Sequence, residues 1–417
     1  MSASRQTPTY GRLISYKHLK TRPRLRKFTA SGPRGAFRIP EMPLLWLWME
    51  RAQNLFEVSP MKTLSLAAAL SLTATAAFAQ TTWPNQKDNY FVIKDFHFAN
   101  GETLPELKLH YVTFGTPKKN AAGEIVNGVI LLHGTSGAGK SWFLPSLADE
   151  LYKPGQPLSA DDYFVIVPDS IGVGGTSKPS DGLKGKFPHY RYIDTVVAEH
   201  RLVTEALGIK HLRLVLGSSM GAMQVWMWGE MYPDLMDGLV PLASQPIGIS
   251  GRNWINRRIR IEAIKHDPDY NNGMYEKNPT HWVYTAASGP MGTESDYQIQ
   301  QIAPTREAGD AYYKKLVEDA SKNDANDTLY GIEAVMDYNP APDLHKIKAK
   351  LMAINSADDE ANPAALHVME PAIAKIPGAR YVLIPQSPET HGHYTHLRAA
   401  IWKPHLVEFL KTLPPMK

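Results

Sequence analysis

Apolar and polar positions along the chain fall into two alternating rhythms after residue 90. Phe91 to Phe98 and Leu107 to Phe114 alternate apolar with polar, as half-buried antiparallel strands do. Gly128 to Leu132, Tyr163 to Val167 and Leu239 to Ala243 are instead short continuous apolar runs, and Leu212, Leu214, Val215 and Leu216 form another broken only by Arg213, the pattern of strands covered on both faces. Lys350 to Asn355 and Tyr381 to Ile384 repeat it near the C-terminus. Thr195 to Leu207 has helical spacing with Gly208 as its stop. Strands alternating with helices predict a mostly parallel sheet with helices on both faces, an α/β fold. Between Gln245 and Asp343 the apolar runs vanish, and polar, Tyr- and Asn-rich helical segments such as Trp254 to Lys265 and Ala308 to Ala320 replace them. Residues 80–245 and 344–417 therefore read as two parts of one core, and 246–343 as a helical lid placed to cover a pocket. No internal repeat is found.

The chain before residue 80 follows other rules. The first sixty residues are basic, with Arg22, Arg24, Arg26 and Lys27 among them, and Pro and Gly interrupt any amphipathic period. Met61-Lys62 then precedes an Ala/Leu-rich apolar run from Thr63 to Ala77, ending in Ala77-Phe78-Ala79-Gln80. Charged start, apolar run and small-x-small site are the layout of a secretory signal peptide, and the run is too short to span a membrane. Signal peptides are N-terminal. Translation is thus expected to begin at Met61, with residues 1–60 an untranslated upstream extension, 61–79 a signal peptide, and an exported mature chain from Gln80. On this reading the basic arm, not being made, is no nucleic-acid or membrane device, and the rest of the chain is mildly acidic. The 417 residues include no cysteine, which excludes disulfides, thiolate metal sites and a cysteine nucleophile.

The candidate chemistry centres on Gly217-Ser218-Ser219-Met220-Gly221, a Gly-x-Ser-x-Gly between the strand at Leu212 and helix-forming Ala222 to Trp228. Strand, tight turn and helix is the context of a nucleophile elbow, where flanking glycines let strand and helix approach closely and the serine hydroxyl projects clear of the sheet. A rival motif lies upstream. Gly134 to Ser141 satisfies the P-loop pattern and follows an apolar strand, so a nucleotide-binding protein is a reading of another class. Pro145 falls in the helix that should follow Lys140, and export would separate the protein from ATP. The loop serves better as the backbone donor of an oxyanion hole. A non-catalytic binding module on the same fold is the third class considered.

An elbow serine needs an acid and a histidine later in the chain. Asp358 and Asp359 both follow the strand at Lys350. Asp358 is chosen because the first residue past a strand is usually better aimed. Among His391, His393 and His396, His393 is chosen because Gly392 gives its loop freedom to turn toward the serine. The expected mechanism is nucleophilic acyl transfer by Ser219, His393 and Asp358, with the amides of Met220 and Thr135 stabilising the oxyanion by about 3 kcal/mol each.

These motifs identify a resemblance. Gly217-Ser218-Ser219-Met220-Gly221-Ala222-Met223-Gln224, Phe187-Pro188 through Asp194, Leu207-Gly208-Ile209, Tyr232-Pro233-Asp234, the stretch Arg258 to Tyr275 and the block Ser387 to Thr395 are similar to segments of the homoserine O-acetyltransferase branch of the α/β-hydrolases. The resemblance runs from about Tyr90 to the C-terminus. It implies the α/β-hydrolase fold with a helical lid, the triad Ser219, Asp358 and His393, and Arg258 and Tyr275 as substrate-binding residues. Departures are Ala222 and Tyr394 where the family has glycine, Ser-Ala-Asp-Asp where it has a tighter Ser-Asp, and a different lid from His281 to Asp319. Export also denies the chain acetyl-CoA. The expectation is therefore an exported serine ester hydrolase on a transferase scaffold, with the acetyl-CoA transferase as second choice. It would need no cofactor and no metal, and would take a small-molecule acyl ester. It would bind no nucleic acid and hold no stable membrane span, and a homodimer is compatible with it. Tyr- and Trp-rich lid segments suggest an apolar or aromatic acyl group, although such residues more often simply form core.

Overall fold

A computed structural model describes residues 82–135 and 137–416. The basic arm, the signal-like segment and Ser136 lie outside the described residues. The eight strands are β1 (Lys87–His97), β2 (Thr103–Phe114), β3 (Gly128–Leu132), β4 (Phe164–Pro168), β5 (Leu212–Ser218), β6 (Met236–Leu242), β7 (Lys350–Ser356) and β8 (Arg380–Ile384). They form one sheet in the order β1-β2-β4-β3-β5-β6-β7-β8. The alternating strands β1 and β2 pair antiparallel at one edge, and β2 also meets β4 antiparallel. The continuous apolar strands pair parallel throughout. This is the mostly parallel α/β sheet that the sequence pattern predicts, with β5 near the middle.

The pleat sends alternate strand residues into two cores. Ile130 and Leu132 of β3 join Leu212 and Val215 of β5 on one face, together with Val196 of α2 (Tyr192–Arg201) and Trp226 of α3 (Met220–Met231). Val129, Leu131, Leu214 and Leu216 face the other side and pack on α1 (Pro145–Leu151) and α8 (Ala399–Leu410). Met220 through Gly229 are all buried, so α3 is apolar all round, as a helix enclosed by a sheet and its neighbours must be. That burial holds the helix behind the elbow rigid.

Between β6 and β7 the chain contains no strand among the described residues. It is built from α4 (Gly251–Lys265), α5 (Asp296–Ile302), α6 (Arg306–Ala320), α7 (Ala325–Glu333) and shorter turns. Helices α5, α6 and α7 take side-chain caps, at Ser295, Thr305 and Asp324. The Thr305 side chain accepts from the Ala308 amide, and Asp324 accepts from Asn326 and Asp327. No helix among the described residues is long and apolar enough to cross a membrane.

Candidate active site

The turn between β5 and α3 is sterically forced. Ser219 has φ 55° and ψ −113°, a backbone state that L-residues rarely hold. A Cβ on Gly217 would lie 2.4 Å from the Gly221 backbone, and one on Gly221 would lie 2.2 Å from the Leu132 carbonyl oxygen. Both glycines are therefore needed for close approach. The Ser219 amide donates to Leu242 O at 2.9 Å and the Gly221 amide to His133 O at 2.9 Å. These bonds tie the elbow to β6 and to the loop after β3. Met220 opens α3, so its amide has no partner within the helix. Thr135 lines the same cavity as Ser219.

The structure brings Ser219 and His393 together: His393 Nε2 is 2.8 Å from Ser219 Oγ. The other ring nitrogen, Nδ1, is 2.9 Å from Asp359 Oδ2. With a carboxylate at Nδ1 the neutral ring carries its proton there, leaving Nε2 to accept from the serine. Burial pushes the Asp359 carboxyl up. The charge and hydrogen bond of His393 and the donors on Asn362 outweigh it and hold Asp359 below its ordinary value. A hydroxyl on an imidazole that is itself held by a buried carboxylate can be deprotonated as it attacks a carbonyl carbon.

The carboxylate on the ring, expected to be Asp358, is instead Asp359. Strand β7 runs through Ser356, one residue beyond the expected end, and the Asp359 amide closes a turn on Ser356 O at 3.2 Å. That turn aims the second aspartate at the ring. Asp358 points to the histidine's own loop, accepting from Ser356 Oγ, from Thr390 Oγ1 at 2.8 Å and from the Gly392 amide at 3.1 Å. Gly392 is needed for a different reason from the expected freedom to turn. It has φ 55°, and a Cβ there would meet Thr293 O and Ser295 N, each at 2.7 Å. The His393 amide donates to Thr293 O at 2.7 Å, so the insertion grips the histidine loop.

Two expected substrate contacts are also corrected. Arg258 lies on the outer face of α4 and pairs with Glu262 one turn along. Tyr275 is buried within the insertion, where its hydroxyl donates to Asp324 Oδ1 at 2.7 Å and accepts from the Asn326 amide at 3.0 Å. It braces the cap of α7. Neither residue lines the cavity at Ser219. The side chains that do so include Tyr394 and His396, and two that sequence reasoning missed, Arg257 and Arg260. The signal available was the i, i+3 spacing of Arg257 and Arg260 on α4. Asn362 was missed as well: its Nδ2 donates to Asp359 Oδ2 at 2.9 Å and to Ala243 O at 3.0 Å, fixing the carboxylate. His396 is buried against His393, and burial with that neighbour pushes its pKa down to about 3, so it stays neutral.

The P-loop match folds otherwise. Leu144 interrupts the helix after Lys140, and Pro145 opens a separate helix at its first position, where proline is tolerated. The Gly137 amide donates to Gly134 O, the Gly139 amide to Asp169 Oδ1 at 2.6 Å and the Ser141 amide to Ala138 O. Three of the loop amides that would cradle a phosphate are therefore already used, and Lys140 is exposed. Lys140→Ala is therefore expected to leave ester turnover within about two-fold of the parent, as most surface substitutions do. Calorimetry with Mg-ATP should show no binding. Binding that disappears in Lys140→Ala would restore the nucleotide reading.

Asp267, Asp269 and His281 are the group among the described residues with metal-ligand proximity. Asp267 already accepts from the backbone amides of Asp269, His281 and Trp282, which makes it a turn brace.

Comparison with known proteins agrees with this architecture. Residues 127–390 match the family model described as the alpha/beta hydrolase fold. A probable acyltransferase of Methanothermobacter thermautotrophicus is 30% identical over 296 residues, covering 71% of this chain and 89% of the relative. The crystal structure of a homoserine O-acetyltransferase from Bacillus anthracis superposes with a TM-score of 0.69 at 20% identity, covering 81% of this chain and all (100%) of that one. An acetylester hydrolase from Corynebacterium glutamicum gives 0.67 at 23% identity, covering 78% and 96%. The chain belongs to the α/β-hydrolase family.

Proposed function

We propose that this chain is an exported serine acyl hydrolase that acts through an acyl-enzyme. The observation that carries the reading is the hydrogen-bonded line from Asp359 through His393 to Ser219, facing a cavity of about 330 Å³. Ser219 Oγ attacks the acyl carbonyl carbon while His393 Nε2 takes its proton. Asp359 holds the tautomer and stabilises the imidazolium. The amides of Met220 and Thr135 receive the oxyanion, each donor contributing about 3 kcal/mol. Collapse breaks the bond to the leaving oxygen, which takes the proton from His393. Water then adds to the acyl carbon, its proton passing to His393, and the acid departs as Ser219 is reprotonated.

Export is supported by the layout of Met61 to Ala79. It favours water as acceptor, because acyl-CoA donors are intracellular. A second reading, transfer to an alcohol such as homoserine, is favoured by the relative named a probable acyltransferase, which the chain matches over 89% of its length. One experiment separates the two. Protein beginning at Gln80 is given short acyl esters, or acetyl-CoA, with and without homoserine. Free acid released at a rate independent of homoserine is expected. Acetylhomoserine formed faster than acetate would replace hydrolysis with transfer. Expressing the chain from Met61 in a Gram-negative host and sequencing its N-terminus tests export in parallel. An uncleaved cytoplasmic product would end that part of the proposal.

A further inference from the structure

Helix α4 carries four arginines, and they divide by face. Arg252 and Arg258 point outward, and each has an acid: Glu360 for the first, Glu262 for the second. Arg257 and Arg260 point inward and line the cavity that holds Ser219 and His393. Neither makes an ion pair among the described residues. Arg257 reaches only neutral acceptors, Nε to Asn253 Oδ1 at 3.0 Å and Nη1 to Ile332 O at 3.3 Å. Arg260 Nε is buried with no hydrogen-bond partner, and so is Oδ1 of its neighbour Asn256. Among the described residues, no aspartate or glutamate lines the cavity.

Two half-buried guanidinium groups lining one cavity repel each other and lose part of their hydration, so an anion bound between them would complete the site. The remaining walls do not supply one. They carry no acidic side chain among the described residues and are apolar in part, with Leu144, Met223, Ile332 and Leu397 among them. Burial and the neighbouring Arg257 charge both hold the Arg260 pKa below its ordinary value, as expected for a cation lacking its counter-charge. A guanidinium is planar and matches a carboxylate edge with two parallel N–H donors.

We propose that the natural substrate is an ester bearing a carboxylate, and that Arg257 and Arg260 bind this carboxylate inside the Ser219 cavity. The proposal rests on the acyl-hydrolase reading and replaces the purely apolar acyl group expected from the lid's aromatic content. The carboxylate belongs either to the acyl half, as in a dicarboxylic half-ester, or to the alcohol half, as in an esterified hydroxy acid. Both present the same anion to the same pair.

The test uses matched esters on protein beginning at Gln80. On the acyl side, p-nitrophenyl hemiglutarate is compared with p-nitrophenyl hexanoate. On the alcohol side, 3-acetoxypropanoate is compared with butyl acetate. In one of the two pairs the charged member should have kcat/KM at least about ten-fold higher, the usual scale for a charge-assisted contact. In Arg257→Met and Arg260→Met that ratio should fall to within about three-fold of unity, while Arg260→Lys keeps part of it. Fluorophosphonate labelling of Ser219 reports whether each variant retains its site. Free glutarate or propanoate should slow that labelling in the parent and not in Arg260→Met. Should Arg260→Met fail the labelling check, Arg257→Met and Arg260→Lys carry the comparison. Equal rates within both pairs in the parent would overturn the proposal, as would a preference that survives in Arg257→Met and Arg260→Met. Failure of the underlying hydrolase reading looks different: no ester is cleaved and Ser219 is not labelled.

Discussion

Ser219→Ala is expected to lower kcat for ester cleavage by about 10⁴- to 10⁶-fold, and His393→Ala by a similar factor. A serine hydroxyl is a weak nucleophile until a base takes its proton as it attacks, and His393 Nε2 is the group within 2.8 Å that can do so. Either substitution removes the activated nucleophile, so the double variant should be scarcely slower than each single one. The backbone oxyanion donors survive in all three, leaving a residual rate above that in water. Stopped-flow measurement with an activated ester checks this. Losses that multiply in the double variant would show that the two residues act independently. The fold should persist in Ser219→Ala, because the new side chain is only the Cβ that the elbow already accommodates.

The second large effect separates two adjacent aspartates. Asp359→Asn should reduce kcat by about 10³- to 10⁴-fold, since an amide at that position no longer holds the tautomer with its proton on Nδ1. It leaves Ser219 and His393 in place, so the loss should be smaller than for Ser219→Ala. Asp358→Asn should cost less than about ten-fold, because one amide oxygen can still accept from Thr390 and the Gly392 amide. Its mark should fall on the stability of the histidine loop, seen as a lower melting temperature. The reverse order, severe at Asp358 and mild at Asp359, would return the acid to the first aspartate.

This pair also marks how far the sequence could be read. The central strands were legible because burial on both faces writes a continuous apolar run, as in Gly128 to Leu132. The elbow was legible because close backbone approach admits only glycine at Gly217 and Gly221. The acid was not legible to the residue, because a one-residue extension of β7 through Ser356 rotates the following turn and exchanges the roles of Asp358 and Asp359. Boundaries of that kind depend on tertiary pairing, here with β8. The cavity arginines were hidden for a related reason. Which face of α4 turns inward is set by Ile261 and Ile264 packing on the core, and helical spacing alone does not say that Arg257 faces the site and Arg258 the solvent. Tyr275 was misplaced because a motif match reports neighbourhood in the chain, whereas its hydroxyl is committed to Asp324 and Asn326.

The most direct test of the account is covalent capture of the nucleophile. The chain from Gln80 is treated with a fluorophosphonate, digested and mapped by mass spectrometry, with His393→Ala in parallel. A phosphonyl adduct on Ser219, absent from Ser218 and strongly slowed in His393→Ala, is the expected result. An adduct elsewhere, or none on a protein that still cleaves esters, would contradict Ser219 as the nucleophile and the mechanism built on it.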